Sequence, residues 1–105
     1  MINNSGTDIA ESVILVKVAN AVEKYAAVRL TKKKKAIRIN DTEKAKTIDL
    51  FIDIDYGTVI PKVVNDMQHT IARSLDEDLD IVFDSINVTV EGVNIDRLDK
   101  KKKEL

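Results

Sequence analysis

The chain has 105 residues, enough for one small domain, and 44% of them are hydrophobic. With two Phe, two Tyr and no Trp, its core must be mainly aliphatic. Seventeen basic residues against eighteen acidic ones give a formal net charge of -1. That balance does not favour nucleic acid as a partner, because phosphate binding usually requires a basic excess. The absence of cysteine excludes a disulfide framework, a thiolate metal site and a cysteine nucleophile.

The beginning of the chain, MINNSGTD, lacks the basic start and apolar stretch of a signal peptide. We expect residues 1–7 to be a flexible lead. The longest apolar run is Val13–Val16, far below the roughly 20 residues that a spanning helix needs. We therefore expect a cytoplasmic protein with no direct membrane insertion, which can meet a membrane only through a partner or a charged surface.

The first periodic segment, DIAESVILVKVANAVEKY, has a helical repeat and a wide apolar band. This pattern predicts a well-buried helix over residues 9–24. Asp8 with Glu11 three residues later resembles a capping box at the helix start.

Two short β-prone segments follow, AAVRL and AIRIN, with Lys32–Lys35 between them. We interpret them as a hairpin with a basic tip, followed by a second polar turn, NDTEKAK. The next strand, IDLFIDIDY, alternates, so that its Ile, Leu and Tyr residues share one face. The opposite face carries Asp49, Phe51, Asp53 and Asp55.

The second helix is predicted from Ile60 to Leu75, with Pro61 in its first turn, where a missing N–H costs nothing. We expect it to stop before the acidic segment DEDLD at 76–80, because the helix macrodipole disfavours acids at a C-terminus. A last strand is predicted over 85–93, and 96–105 should be a charged, disordered tail. The domain at 8–95 is thus an α+β fold: helix, three strands, helix, strand. Its mixed, mainly antiparallel sheet carries both helices on one face.

The region from Ile48 to Val93 resembles the alkaline-shock and general-stress family of Gram-positive and related bacteria, whose members are often labelled envelope stress response proteins. The resemblance rests on an alternating strand ending in Tyr56-Gly57, a helix opening with Ile60-Pro61, Gln68 midway along that helix, and the final INVTVEGV at 86–93. With the first helix, the match covers residues 9–93. Ala27-Val28 departs from the family's usual Gly-Val, and Lys32–Lys35 replaces a segment that often bears glycine.

The resemblance implies a non-enzymatic scaffold or regulatory protein with no cofactor. It implies a protein partner, either a membrane-anchored envelope protein or an enzyme of fatty-acid synthesis such as acetyl-CoA carboxylase. A homo-oligomer is a further option.

The aspartates of the alternating strand have two readings. Asp53 and Asp55 could flank a hard cation such as Mg²⁺ or divide acid and base roles. Nothing else in the sequence completes such a site, so we favour a solvated face paired with Arg29, Arg38 or lysines. Phe51 interrupts this polar face, as an apolar residue of a contact patch would. We therefore predict no catalytic or metal site, and a partner-binding face consisting of Asp49, Phe51, Asp53, Asp55, Tyr56 and Gly57.

His69, the one histidine, falls on the polar side of the second helix without a partner acid or nucleophile, which favours a surface position. A pH sensor is the alternative, because an unperturbed histidine titrates near about 6.5. The serines lack a nucleophile-elbow setting.

Two lysine clusters support the main alternative function, a small nucleic-acid-binding module. They could contact phosphates or an anionic membrane surface, of which we favour the membrane. A solvated turn and a solubilising tail are the simpler interpretation. The clusters consist of Lys32, Lys33, Lys34, Lys35, Lys100, Lys101, Lys102 and Lys103.

Overall fold

The structure, a computed structural model, describes the backbone of residues 2–95 and the side chains of residues 11–95. The elements are α1 (Ile2–Glu23), β1 (Val28–Leu30), β2 (Ile37–Asp41), β3 (Lys46–Asp55), α2 (Ile60–Leu79) and β4 (Ser85–Asn94). The predicted α+β order of helix, three strands, helix and strand is confirmed. The predicted tail and its lysines, Lys100–Lys103, lie outside the described residues.

The centre of the sheet is β3. β4 pairs with it in parallel from Thr47 to Asp55. β1 and β2 both pair with it antiparallel, β1 beside residues 52–54 and β2 beside residues 46–50. Since β4 occupies one edge of β3 over nearly its whole length, β1 and β2 lie end to end along the other edge. The sheet is therefore mixed, and two of its three strand pairings are antiparallel, as predicted.

The predicted hairpin between the first two strands is wrong. Within the described residues, β1 and β2 do not pair with each other. The N–H of Thr31 donates to the Phe51 carbonyl at 3.1 Å, and the N–H of Phe51 donates to the Ala36 carbonyl at 2.7 Å. These bonds fix both ends of the intervening segment to the middle of β3. Lys32–Lys35 is thus a loop between the two parts of an interrupted edge strand, and we call it the lysine loop. A run of lysines has the same composition in such a loop as in a hairpin tip.

The core lies between the sheet and the helices. Every second residue of β3 is fully buried there, which confirms the alternation seen in the sequence. Burying one such aliphatic side chain stabilises the fold by about 1.5–3 kcal/mol. The most deeply buried side chains come from β3, α2 and α1: Ile48, Leu50, Ile52, Ile54, Met67, Ile71, Leu75, Val18 and Val22.

α1 begins at Ile2, earlier than predicted. Asp8 therefore lies inside the helix and cannot be its N-cap. An aspartate followed three residues later by a glutamate also occurs within helices, where ordinary backbone bonds satisfy the N–H groups. The flexibility expected for residues 1–7 stays a prediction. No helix among residues 2–95 is long and apolar enough to cross a membrane.

α2 continues past Leu75 to Leu79, so the prediction that it stops before the acidic segment is wrong. Leu79 packs against the core, and Asp78 accepts a hydrogen bond from Lys17 of α1 at 2.9 Å. This ion pair lowers the pKa of Asp78 and offsets the macrodipole there. The helix ends at Asp80, whose backbone is left-handed (φ 55°) and whose N–H donates to the Asp76 carbonyl at 3.0 Å.

Candidate functional site

The outward face of β3 carries the residues predicted to bind a partner. Because their neighbours Leu50, Ile52 and Ile54 are buried under the helices, the alternate side chains must point to the opposite face of the sheet. All of these outward side chains are half-buried. They are Asp49, Phe51, Asp53 and Asp55.

The Asp49 side chain links three strands through hydrogen bonds. Its Oδ2 accepts the side-chain amide of Asn40 on β2 at 2.9 Å, and its Oδ1 accepts that of Asn87 on β4 at 3.0 Å. Both oxygens of the carboxylate are therefore engaged by neutral donors. This arrangement ties the two sheet edges to the centre and does not prepare Asp49 for acid–base chemistry.

Asp55 is held by a cation at the other end of the face. Arg29 of β1 donates from Nη1 to Asp55 Oδ1 at 3.0 Å. Such a partly exposed pair contributes about 0–1 kcal/mol. The predicted pairing of these acids with Arg29 is thus seen for Asp55.

Two cations lie close to the Phe51 ring. The Lys34 ammonium is 5.1 Å from the centroid of its ring, and the Arg38 guanidinium carbon is 5.5 Å from it. Both distances fall within the range of cation–π attraction. Lys34 also pairs with Glu91 of β4 at 3.4 Å. The Lys34 side chain therefore reaches across the outward face from the lysine loop to β4.

This contact joins the two surfaces that the sequence suggested separately. Through Lys34, the lysine loop adjoins the β3 residues of the predicted partner-binding face, and together they form one surface around Phe51 that carries both acids and bases. We call it the outer face. It consists of Arg29, Lys32–Lys35, Arg38, Asp49, Phe51, Asp53, Asp55 and Glu91.

Asp53 has the most unusual environment on the outer face. Its Oδ1 is buried and has no hydrogen-bond partner within the described residues. The opposite residue on β4 is Gly92, where an added Cβ would lie 3.1 Å from this oxygen. The register shifts after Ile52, so that Glu91 forms a bulge. A cavity of about 170 Å³ adjoins this point, and Arg29 and Lys33 contribute to its wall.

The Tyr56-Gly57 corner is a turn, as predicted. Tyr56 is 65% exposed, and its N–H donates to the Asn94 carbonyl at 2.9 Å, which extends the pairing of β3 with β4. Gly57 has a φ of 90°, a conformation that favours glycine. The corner thus presents an exposed aromatic ring beside the end of β4.

Of the side chains considered for chemistry, His69 and Ser85 line a common cavity, and in the described part of the chain no hydrogen bond joins them. His69 is exposed on α2, as expected for a surface histidine. It borders a cavity of about 360 Å³ with Gln68, Ala72 and the start of β4. In the described part of the chain, no group of three potential metal ligands occurs.

Three residues with structural roles in or near the outer face were not given those roles from the sequence. Arg38 was considered only as a partner for the acids, whereas it lies over Phe51. Gly92 was seen only as part of a strand motif, although an isolated glycine in a strand is a signal for a bulge. Gln68, quoted only for the resemblance, donates from Nε2 to the Ile86 carbonyl at 2.7 Å and so anchors α2 to β4.

Comparison with known proteins decides the family. A profile of the alkaline-shock protein 23 family, described as having a cell envelope-related function, matches residues 7–95. The chain belongs to this family. The match covers most of α1 and every later helix and strand, and it confirms the resemblance carried by Tyr56-Gly57, Ile60-Pro61 and the final strand. The family's description names a place of action, the cell envelope, and no reaction.

A curated relative supports the assignment to the alkaline-shock protein 23 family. It is the uncharacterized protein YloU of Bacillus subtilis (strain 168), which is 31% identical over 48 residues. The matched stretch covers 46% of this chain and 40% of the relative's length. The chain thus spans less than half of that relative. No solved structure matches this chain.

Proposed function

We propose that the chain is a non-enzymatic scaffold or regulatory protein of the cell envelope, and that it acts by binding another protein through the outer face. The partner would be a membrane-anchored envelope protein or an enzyme of fatty-acid synthesis such as acetyl-CoA carboxylase. The membrane-anchored partner would hold the chain at the inner face of the membrane from the cytoplasm.

The observation that supports this proposal most directly is the placement of Phe51. A large apolar ring sits at the centre of a charged face, with Lys34 and Arg38 already aligned on it. Hot spots of protein interfaces commonly combine an aromatic residue with arginine at the centre of a polar rim. The hydrogen bonds of Asp49 hold the strands beneath in fixed register, which lowers the conformational entropy lost on binding.

The aspartates support binding more than catalysis for a geometric reason. Each carboxylate has a different environment: amides hold Asp49, Arg29 holds Asp55, and Asp53 lies under Gly92. A pair that divides acid and base roles would need two carboxylates around one substrate position, whereas Asp53 is the only one of these three that lines the neighbouring cavity. The opening for a ligand beside Asp53, about 170 Å³, is small.

The test is affinity capture from the native cell at near-physiological salt, with mass spectrometry, compared between wild type, Phe51→Ser and Val16→Ser. Val16 is an exposed apolar residue on α1 and provides the matched control. We expect a membrane protein or acetyl-CoA carboxylase subunits with wild type and Val16→Ser. Phe51→Ser should reduce their recovery by roughly tenfold. The purified partner should then bind with the same ranking of variants.

Two results would contradict the proposal. Equal recovery with Phe51→Ser and wild type would remove the outer face as the contact. Recovery of nucleic-acid-binding proteins that disappears with nuclease would favour the alternative function, in which the lysine loop binds nucleic acid. That alternative predicts salt-sensitive binding that is lost when Lys32–Lys35 are changed to glutamine. The Lys34–Glu91 pair counts against it, because one of the four positive charges is already neutralised.

A further inference from the structure

The two edges of the sheet differ in how they are protected. The β1–β2 edge is interrupted by the lysine loop and carries Arg29 and Arg38, which are features that prevent edge-to-edge pairing. β4, by contrast, contains no lysine and no proline, and its one charged residue is Glu91. Lys34 already neutralises that charge. A long edge strand without these features is a template for another strand.

The backbone of β4 is open over a defined stretch. Gln68 occupies the Ile86 carbonyl and so closes the beginning of the edge. From Asn87 to Glu91, the described residues contribute no hydrogen bond to the strand backbone other than the ladder with β3. The bulge at Glu91 ends the regular part of the edge. The stretch Asn87–Glu91 is therefore available for pairing.

Exposed apolar side chains lie at both ends of β4. Val82, just before the strand, is 72% exposed. Val93 and Ile95, at its end, are 53% and 48% exposed. When two copies of one strand pair antiparallel, the beginning of each lies beside the end of the other. Val82 of each copy would then lie near Val93 and Ile95 of the other copy, so the apolar contact would form at both ends of the pair. This favours a second copy of this chain over an unrelated peptide.

We propose that β4 pairs antiparallel with β4 of a second copy about a two-fold axis at Thr89, which joins the two sheets into one. In this register Thr89 faces the partner subunit's Thr89, and Asn87 faces the partner subunit's Glu91. Val88 faces the partner subunit's Val90. No like charges are opposed, and threonine pairs and apolar pairs are favourable across antiparallel strands. The assembly closes at two copies, because the two-fold uses the same edge of each.

The dimer does not depend on the outer face binding a partner, so the two proposals can fail separately. Sedimentation should give wild type twice the 11.8 kDa of one chain. Thr89→Lys and Thr89→Glu, each alone, place like charges on the two-fold axis and should weaken dimerisation by roughly tenfold or more. A mixture of the two variants should restore the dimer. Asn65→Lys, on the exposed side of α2, is the control and should dimerise as wild type does.

A thiol placed on the axis gives an independent test, because the chain has no cysteine of its own. Thr89→Cys should form an intermolecular disulfide under mild oxidation, since opposed Cα atoms in antiparallel pairs lie within disulfide range. Asn65→Cys should not. A wild type that stays at 11.8 kDa up to millimolar concentration would overturn the proposal. Two other results would overturn it. One is a dimer that is dissociated by Phe51→Ser and not by Thr89→Lys. The other is a mixture of Thr89→Lys and Thr89→Glu that stays monomeric, together with a Thr89→Cys variant that does not cross-link.

Discussion

The ammonium of Lys34 lies 5.1 Å from the centroid of the Phe51 ring and 3.4 Å from the Glu91 carboxylate. One side chain thus links the lysine loop, the central strand and the far edge strand. A partner that contacts Phe51 must either displace Lys34 or bind around it. The lysine loop is therefore part of the proposed binding surface and not a separate electrostatic feature.

Replacing Lys34 tests this link. Lys34→Gln should lower the free energy of unfolding by about 0.5–1 kcal/mol, because it removes an exposed cation–π contact together with an ion pair. The measurement is urea unfolding followed by circular dichroism. Lys32→Gln removes the same charge from a residue for which no such contact is seen, and should leave stability within about 0.5 kcal/mol. Equal effects of the two changes would mean that Lys34 is not held on the ring.

The sequence predicted the core and the strand faces because both follow from a simple period. The alternation of β3 gave the buried Ile48 and Ile54 and the outward Phe51 without any tertiary information. The period of α2 gave Met67 and Ile71 in the same way.

What the sequence could not predict depended on contacts between distant segments. The lysine loop was assigned to a hairpin because a polar tip and an excursion from an edge strand have the same composition. The end of α2 was misplaced because the macrodipole disfavours acids there, whereas Lys17 and the packing of Leu79 outweigh that effect. The joining of Lys34 to Phe51 required both the loop path and the strand register.

Substitutions at Gly92 and Asp53 should have coupled effects on the free energy of unfolding. Gly92→Ala would place a methyl group 3.1 Å from the buried Asp53 Oδ1, and the crowding should cost about 1 kcal/mol. Asp53→Ala alone should be neutral or stabilising, because it removes a buried oxygen that has no partner among the described residues. In the Asp53→Ala background, Gly92→Ala should cost much less. A double-mutant cycle from urea unfolding measures this coupling, and additive effects would contradict the contact.

Tyr25 should make stability fall at alkaline pH. Its hydroxyl donates to Asp66 Oδ2 at 2.7 Å and lies 2.8 Å from Thr70 Oγ1, both on α2. Burial, with a further contribution from Asp66, raises the pKa of Tyr25 above its ordinary value of 10.0. The unfolded chain therefore loses this proton at a lower pH than the folded chain. The stabilisation is full below about pH 10 and is lost as pH rises through the folded pKa.

The matching variant is Tyr25→Phe, which keeps the ring and removes the hydroxyl. At neutral pH it should be less stable than wild type by about 0.5–1.5 kcal/mol, the usual range for one hydrogen bond. The difference should shrink above pH 10, because only wild type has the titrating group. Urea unfolding from neutral pH to pH 11 measures both effects. A difference that stays constant across this range would show that the hydroxyl proton is not shared with α2.

The end of α2 offers a stabilising substitution. Asp80 adopts φ 55°, a left-handed conformation that glycine adopts without steric cost and that aspartate tolerates at some cost. Asp80→Gly also removes an acid from the negative end of the helix dipole. Relief of strain and of charge repulsion should exceed the extra entropy that glycine gives the unfolded chain. We expect a net gain of about 0.5–1 kcal/mol.

Asp76→Gly is the control for Asp80→Gly, because it makes the same chemical change one turn earlier, at an exposed position within α2. There glycine gains nothing from a left-handed backbone and weakens the helix, so stability should fall by roughly 0.5 kcal/mol. Thermal unfolding of both variants gives the comparison. Opposite signs would confirm that α2 ends at Asp80. A loss in both variants would instead mean that the acidic segment does not hold a left-handed residue at this point.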